Sequence, residues 1–244
     1  MPVELAVRDG IATLTLARPE RGNALGPELI EAIGARFEEA LTAGARLIVL
    51  RGAGRHFCTG LDLSDLEEVS EGDLALRVIR IELLLQAIHA SPVTTLAIGQ
   101  GRVFGAGADL FAVCDHRLAL PDARFAFPGP AFGLVLGTGR LAGLVGEGRA
   151  RALLLRGEAI GPEEAVALGL ATAMPAAVED AVAAAQRDAA RLDAATVAML
   201  HRRTRRADDA ADLVALVHSL ARPGLKARVQ AYRARVLAQR PKPG

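Results

Sequence analysis

Apolar and polar positions along this chain follow two periods, and the switches between them mark its elements. Residues 10–16 alternate small or polar side chains with apolar ones, the period of a strand with one buried face, and Arg18-Pro19 ends it. Pro27 then opens a helix at a first-turn position, where a missing N–H is harmless, and Leu29, Ile30, Ile33, Phe37 and Leu41 recur along it at helical spacing. Residues 47–50 are a short apolar run, which predicts a buried strand, and residues 93–98 read as another. A glycine-punctuated loop over 51–60 and a charged stretch lead from the first of these to a helix over 74–89, broken by Ser91-Pro92. A second glycine-rich loop, 99–107, precedes a predicted helix over 108–114 and a strand over 116–120. Residues 125–139 read as a loop rich in Pro and Gly, followed by short helices over 140–145, 149–155 and 162–168. From residue 176 onward the pattern is helical, with one break at Pro223-Gly224.

Strands alternating with helices over the first two thirds predict an α/β core. The helical remainder is a change of architecture, and we place the boundary between a core over 1–190 and a C-terminal helical region over 191–244. That region has to pack on its own core or on a neighbouring subunit.

Composition narrows the function. The chain has 244 residues, enough to bury a substantial core without disulfide or metal staples. Aromatic residues are only 3% of it, which leaves little material for base-stacking platforms, and the net charge of +1 calls for no polyanion, so no nucleic-acid partner is expected. The basic run His201 to Arg206 is short and followed by Asp208 and Asp209, and reads as a solvated helix end. Cys58 and Cys114 stand in no metal-ligand spacing; buried free thiols, and no metal, are expected. No basic segment followed by an apolar stretch occurs in residues 1–10, and no apolar stretch is long enough to span a bilayer, so a cytoplasmic location without membrane association is expected.

Two segments share one plan: a buried strand, a glycine loop, then a helix start. They are residues 47–62 and 93–109. At a helix start several N–H groups lack intrahelical partners, and the macrodipole makes the same point attractive to negative charge. Two such points facing each other suit a developing oxyanion, and glycine or alanine there lets a substrate approach the backbone closely. The same plan also serves for packing alone.

These segments resemble the crotonase, or enoyl-CoA hydratase/isomerase, family. Arg18-Pro19 with Asn23-Ala24-Leu25 is similar to its opening motif. Ile48-Val49-Leu50-Arg51-Gly52 with Phe57-Cys58-Thr59-Gly60-Leu61-Asp62 resembles its first oxyanion segment, and Gly101 with Gly105-Ala106-Gly107-Ala108-Asp109-Leu110 and Cys114-Asp115 resembles its second. Ala159-Ile160, Glu164-Ala165 and Gly169-Leu170 resemble a later signature, and the run from Ala238 to Pro243 resembles the family's ending. The resemblance covers nearly the whole chain in order. It implies a spiral of β-β-α repeats with a C-terminal helical trimerisation region, and a homotrimer or a homohexamer of paired trimers. It implies an acyl-CoA substrate in fatty acid metabolism, with no cofactor beyond the coenzyme A of the thioester. Carried over residue by residue, it places the oxyanion donors on the N–H groups of Thr59 and Ala106, with Gly60, Leu61 and Asp62 lining the coenzyme side. The reading of Asp62 itself is a helix cap.

The chain departs from the family at the carboxylates. Hydratases use two glutamates; the first position falls on Asp109, a carboxylate on a shorter arm, and the second on Gly129. No Asp or Glu occurs between Asp122 and Glu147, so a shifted alignment does not restore the second acid. Gly129-Pro130 is similar to naphthoyl-CoA synthases, but their further Asp would fall near Leu136. Asp109 is therefore the candidate acid/base, and as an alternative its carboxyl is simply a structural group near a helix start. An isomerase needs one such base; decarboxylation or thioester hydrolysis needs mainly the oxyanion hole; a non-catalytic acyl-CoA-binding member needs neither acid.

Overall fold

A computed structural model describes residues 1–205 and 208–238. Arg206 of the basic run and residues 239–243 of the C-terminal motif lie outside the described residues.

Strands β1 (Val3–Arg8) and β2 (Ile11–Leu16) form an antiparallel hairpin in which Arg8 pairs with Ile11. The two-residue turn between them, Asp9-Gly10, has positive φ at both positions, the geometry that matches strand twist. Sequence periodicity misses β1 because its outer positions are open to solvent and carry Glu4 and Arg8. Strands β3 (Leu47–Gly52), β4 (Thr94–Gly99) and β6 (His116–Ala119) add in parallel, giving the order β1-β2-β3-β4-β6; β5 (Arg102–Phe104) and β7 (Arg124–Ala126) form a separate parallel pair. The central strands β3 and β4 are buried on both faces along most of their length.

Helix α1 (Pro27–Thr42) turns Leu29, Ile30, Ile33, Phe37 and Ala40 into the core, as its spacing predicts. Helix α2 (Glu71–His89) begins three residues earlier than its apolar pattern, because Ser70 caps it by accepting from Asp73 N–H. Helix α3 (Ala106–Ala112) also starts early, directly on Gly105. Helices α4 (Thr138–Val145), α5 (Glu147–Arg156) and α6 (Pro162–Leu168) follow. The predicted loop over 125–139 holds β7 and a 3-10 turn at Gly129–Phe132.

Helices α7 (Val178–Arg191), α8 (Ala194–Thr204), α9 (Asp209–Leu220) and α10 (Leu225–Ala238) complete the described chain. The expected single break at Pro223-Gly224 is joined by two more, each marked by an aspartate that accepts from a first-turn N–H: Asp193 from Thr196 and Asp208 from Ala211. Helices α9 and α10 fold back on α2, and α10 also covers the 3-10 turn. No helix is long and apolar enough to cross a membrane among the described residues.

One polar cluster lies inside this packing. Arg140 on α4 reaches Glu82 on α2 at 2.5 and 2.9 Å and Asp212 on α9 at 3.1 Å, and Gln86 donates to Glu82 at 2.7 Å. Glu82 is wholly buried and Arg140 nearly so, so removing Arg140 leaves the Glu82 carboxylate out of water with only the neutral Gln86 amide beside it. Arg140→Met is expected to lower unfolding free energy by about 3–5 kcal/mol in urea titration, with much of the loss recovered when Glu82 and Asp212 are also made apolar. A loss below about 1 kcal/mol would mean the cluster behaves as an exposed one.

Candidate active site

The two glycine loops meet edge to edge. Cys58 N–H donates to Arg102 O and Phe104 N–H to Cys58 O, while Gly105 N–H donates to Ala126 O, so segments 57–60, 102–105 and 124–126 run side by side. Glycine is required at the contact. A Cβ on Gly60, whose φ is +93°, would stand 2.7 Å from Phe104 O, and one on Gly107 would stand 2.4 Å from Cys58 O.

The opening motif acts as a splint for the first loop. Asn23, fully buried at φ 54°, accepts from Arg18 N–H and donates to Ala53 O and His56 O. Leu25 N–H donates to Gly60 O at 2.7 Å, and Asp62 N–H donates back to Leu25 O. Thr59 N–H donates to Gly22 O at 3.0 Å.

That last bond corrects the expected donor. The Thr59 N–H is already engaged by the Gly22 carbonyl. Leu61 N–H has no hydrogen-bond partner among the described residues, and neither has Ala106 N–H at the first position of α3. Leu61 and Ala106 both line one apolar cavity of about 160 Å³, together with Thr59, Gly60, Asp109 and Gly129.

Asp109 is the one carboxyl lining that cavity among the described residues. It is 5% exposed, and its carboxyl accepts no hydrogen bond within the described chain. Burial pushes it up to about 8, against a smaller opposing pull from Arg140; Glu82 and Asp212 add to the rise. At neutral pH the group is a carboxylic acid. Room for it comes from Gly137, where a Cβ would stand 2.2 Å from Asp109 Oδ1. Gly137 and Arg140 were not anticipated from the sequence; the glycines flanking Thr138, immediately before an arginine, were the available clue.

Gly129 has no positive φ, and a Cβ there would meet Leu134 O at 3.5 Å, an ordinary contact. Asp122 is exposed in a turn. Asp62 is not a helix cap: it accepts from Ser64 N–H at 2.9 Å, an Asx turn, and lies 3.7 Å from Arg18 and 3.9 Å from Arg21. His56 Nδ1 accepts from Arg102 N–H, and burial with Arg102 and Arg55 nearby lowers its pKa. Cys58 and Cys114 are buried free thiols pushed up to about 12 by burial, which makes them poor nucleophiles.

Residues 6–219 match the enoyl-CoA hydratase/isomerase family model. The chain is 40% identical over 166 residues to the "Probable enoyl-CoA hydratase echA6" of Mycobacterium tuberculosis, covering 67% of this chain and 66% of the relative. It is 39% identical over 173 residues to a "Probable enoyl-CoA hydratase" of Rhodobacter capsulatus, covering 69% and 66%. The matched stretch thus spans just under two thirds of these relatives. A Bordetella parapertussis protein whose crystal structure carries the enoyl-CoA hydratase/isomerase name superposes with a TM-score of 0.93 at 45% identity, over 96% of this chain and 99% of that one. The fold is likewise that of a Bacillus halodurans enoyl-CoA hydratase, TM-score 0.84 at 21% identity. With its crotonase-like α/β fold and a family match over most of its length, this chain belongs to the enoyl-CoA hydratase/isomerase family.

Proposed function

We propose that the protein is an acyl-CoA enzyme of the hydratase/isomerase type that holds the thioester carbonyl between the Leu61 and Ala106 N–H groups and delivers a proton from Asp109. The observation that carries this reading is the pairing of two unbonded backbone donors with one buried carboxyl around a single apolar cavity. Preorganised donors in a water-poor site stabilise an enolate oxygen far better than water does. Thr59, Gly60 and Asp62 then serve as the rim on the coenzyme side, where Arg21, Arg102 and His56 line an adjoining cleft. Self-association as a trimer or hexamer is supported by the exposed Met199, Leu200, Val214 and Val217 on α8 and α9, and light scattering checks it: a strictly monomeric protein would overturn this part.

In hydration, water adds to the β carbon, the electron pair moves into the thioester enolate, and Asp109 gives its proton to the α carbon. No carboxylate stands at Gly129 to take the proton from water, so that half of the reaction is slow. The protonated state of Asp109 supports a second reading, decarboxylation of a malonyl-type thioester. There the C–C bond to the departing CO2 supplies the enolate's electron pair, and Asp109 then protonates the α carbon without any base.

Turnover of enoyl-, dienoyl- and malonyl-type thioesters separates these readings, and tight binding with no conversion of any of them would leave a non-catalytic acyl-CoA-binding protein. Asp109→Asn is expected to abolish turnover while coenzyme A binding persists; unchanged turnover would remove Asp109 from the mechanism. In the wild type, kcat/KM should fall as pH rises through about 8, where the acid ionises. Stability has the same sense over a wider pH range. Between about pH 4 and 8 the unfolded chain has lost this proton and the folded chain keeps it, so stability falls as pH rises. Asp109→Asn should therefore gain thermal stability relative to wild type from pH 4 to 8, whereas a purely structural carboxyl would lose it.

Gly129→Glu puts a second carboxyl where the backbone tolerates one. Hydration of a 2-enoyl thioester should rise on the order of a hundredfold or more. No gain would show that the absent carboxyl is not what limits hydration.

A further inference from the structure

Three cavities meet at one side chain. The inner one, about 160 Å³, holds the Leu61 and Ala106 donors and Asp109. A second, about 430 Å³, lies toward Leu154, Leu155, Arg156 and Arg235, and a third, about 580 Å³, toward Arg21, His56, Arg102 and Arg233. Tyr232 on α10 is the one described residue that lines all three. It is the only tyrosine in the chain. Its ring lies 5.0 Å from the ring of Phe132, which also lines the inner cavity, and its hydroxyl has no hydrogen-bond partner among the described residues.

We infer that Tyr232, braced by Phe132, is the wall that limits the acyl group to a short chain, and that the cavity behind it is the space a longer chain would need. The inference rests on the acyl-CoA reading above and adds its substrate class. The cationic third cavity suits the phosphates of the coenzyme, which leaves the inner cavity for the acyl group. Apart from Asp109 that cavity is walled chiefly by apolar side chains such as Val78, Ile81, Leu134 and Leu136. A dry apolar cavity of about 150 Å³ accommodates a molecule the size of benzene, so roughly six carbons fill this one. The next methylenes would have to displace the Tyr232 ring, because Phe127, Pro128, Pro130 and Leu154 make up the rest of the wall shared with the second cavity and are fixed on the segment after β7, the 3-10 turn and α5. Tyr232 instead sits on a C-terminal helix packed over the 3-10 turn.

The test is calorimetric binding of saturated acyl-CoA thioesters from four to twelve carbons to the wild type, Tyr232→Phe and Tyr232→Ala. In the wild type and Tyr232→Phe, affinity should rise roughly fourfold per added methylene up to about six carbons and then stop rising. In Tyr232→Ala the rise should continue into the longer chains. Should that variant fail to fold, Phe132→Leu, which removes the brace and keeps the helix intact, is expected to shift the break in the same direction. A wild-type affinity that climbs steadily to twelve carbons, or an unshifted break in the folded variant, would overturn the inference while leaving the acyl-CoA reading in place. Failure of every thioester and of free coenzyme A to bind would overturn that reading, and this inference with it.

Discussion

Two loops far apart in sequence lie closer together than side chains would permit, and the rest of the site depends on that approach. Gly60 sits against the Phe104 carbonyl and Gly107 against the Cys58 carbonyl, at separations a Cβ on either residue would violate. The contact fixes where α3 starts, because Gly105 is tied to Ala126 O while its own carbonyl accepts from Ala108 and Asp109. Ala106 is thereby left at the first helical position, with an N–H that no helix can satisfy. On the facing loop, the bonds from Leu25 and to Leu25 bracket Leu61 and leave its N–H out of the pairing. Two unbonded donors are thus a consequence of backbone packing and need no particular side chain at either position.

The carboxyl is placed by a different physics. Asp109 is on the first turn of α3, where a helix favours negative charge, yet burial without a hydrogen bond outweighs that preference and keeps the proton on. The nearby Arg140 is already committed to Glu82 and Asp212, so its charge is largely spent before it reaches Asp109. A buried, protonated, unsatisfied acid destabilises the fold at neutral pH, and such a feature is a stronger pointer to chemistry than its sequence neighbours are. The ion cluster itself binds α2, α4 and α9 behind the cavity, linking the C-terminal helices to the site they cover.

The parts of this arrangement that are legible in the sequence are those written in local pattern. Apolar runs mark β3 and β4, helical spacing marks α1, and the glycine loops mark the two halves of the site. What stayed hidden depends on partners far along the chain. Choosing between Thr59 and Leu61 requires knowing that Gly22, on a separate segment, takes the Thr59 N–H. Arg140 reads as an ordinary helix arginine because its partners are 58 and 72 residues away. Asp62 reads as a cap from its place before a charged stretch, but the chain makes an Asx turn there and the next helix starts only at Glu71. Strand β1 escaped because a hairpin edge open to water has no reason to keep an apolar face.

Gly129 differs from the other glycines around the cavity. Gly60, Gly105 and Gly137 all have positive φ, and a Cβ on Gly60 or Gly137 would also collide with its neighbours, so the backbone asks for glycine there. Gly129 has neither constraint. A Cβ would fit there in ordinary contact, and the position opens on the same cavity as Asp109. Among the described residues Asp109 is thus the one carboxyl on this cavity, and the backbone at Gly129 would carry a Cβ without a clash.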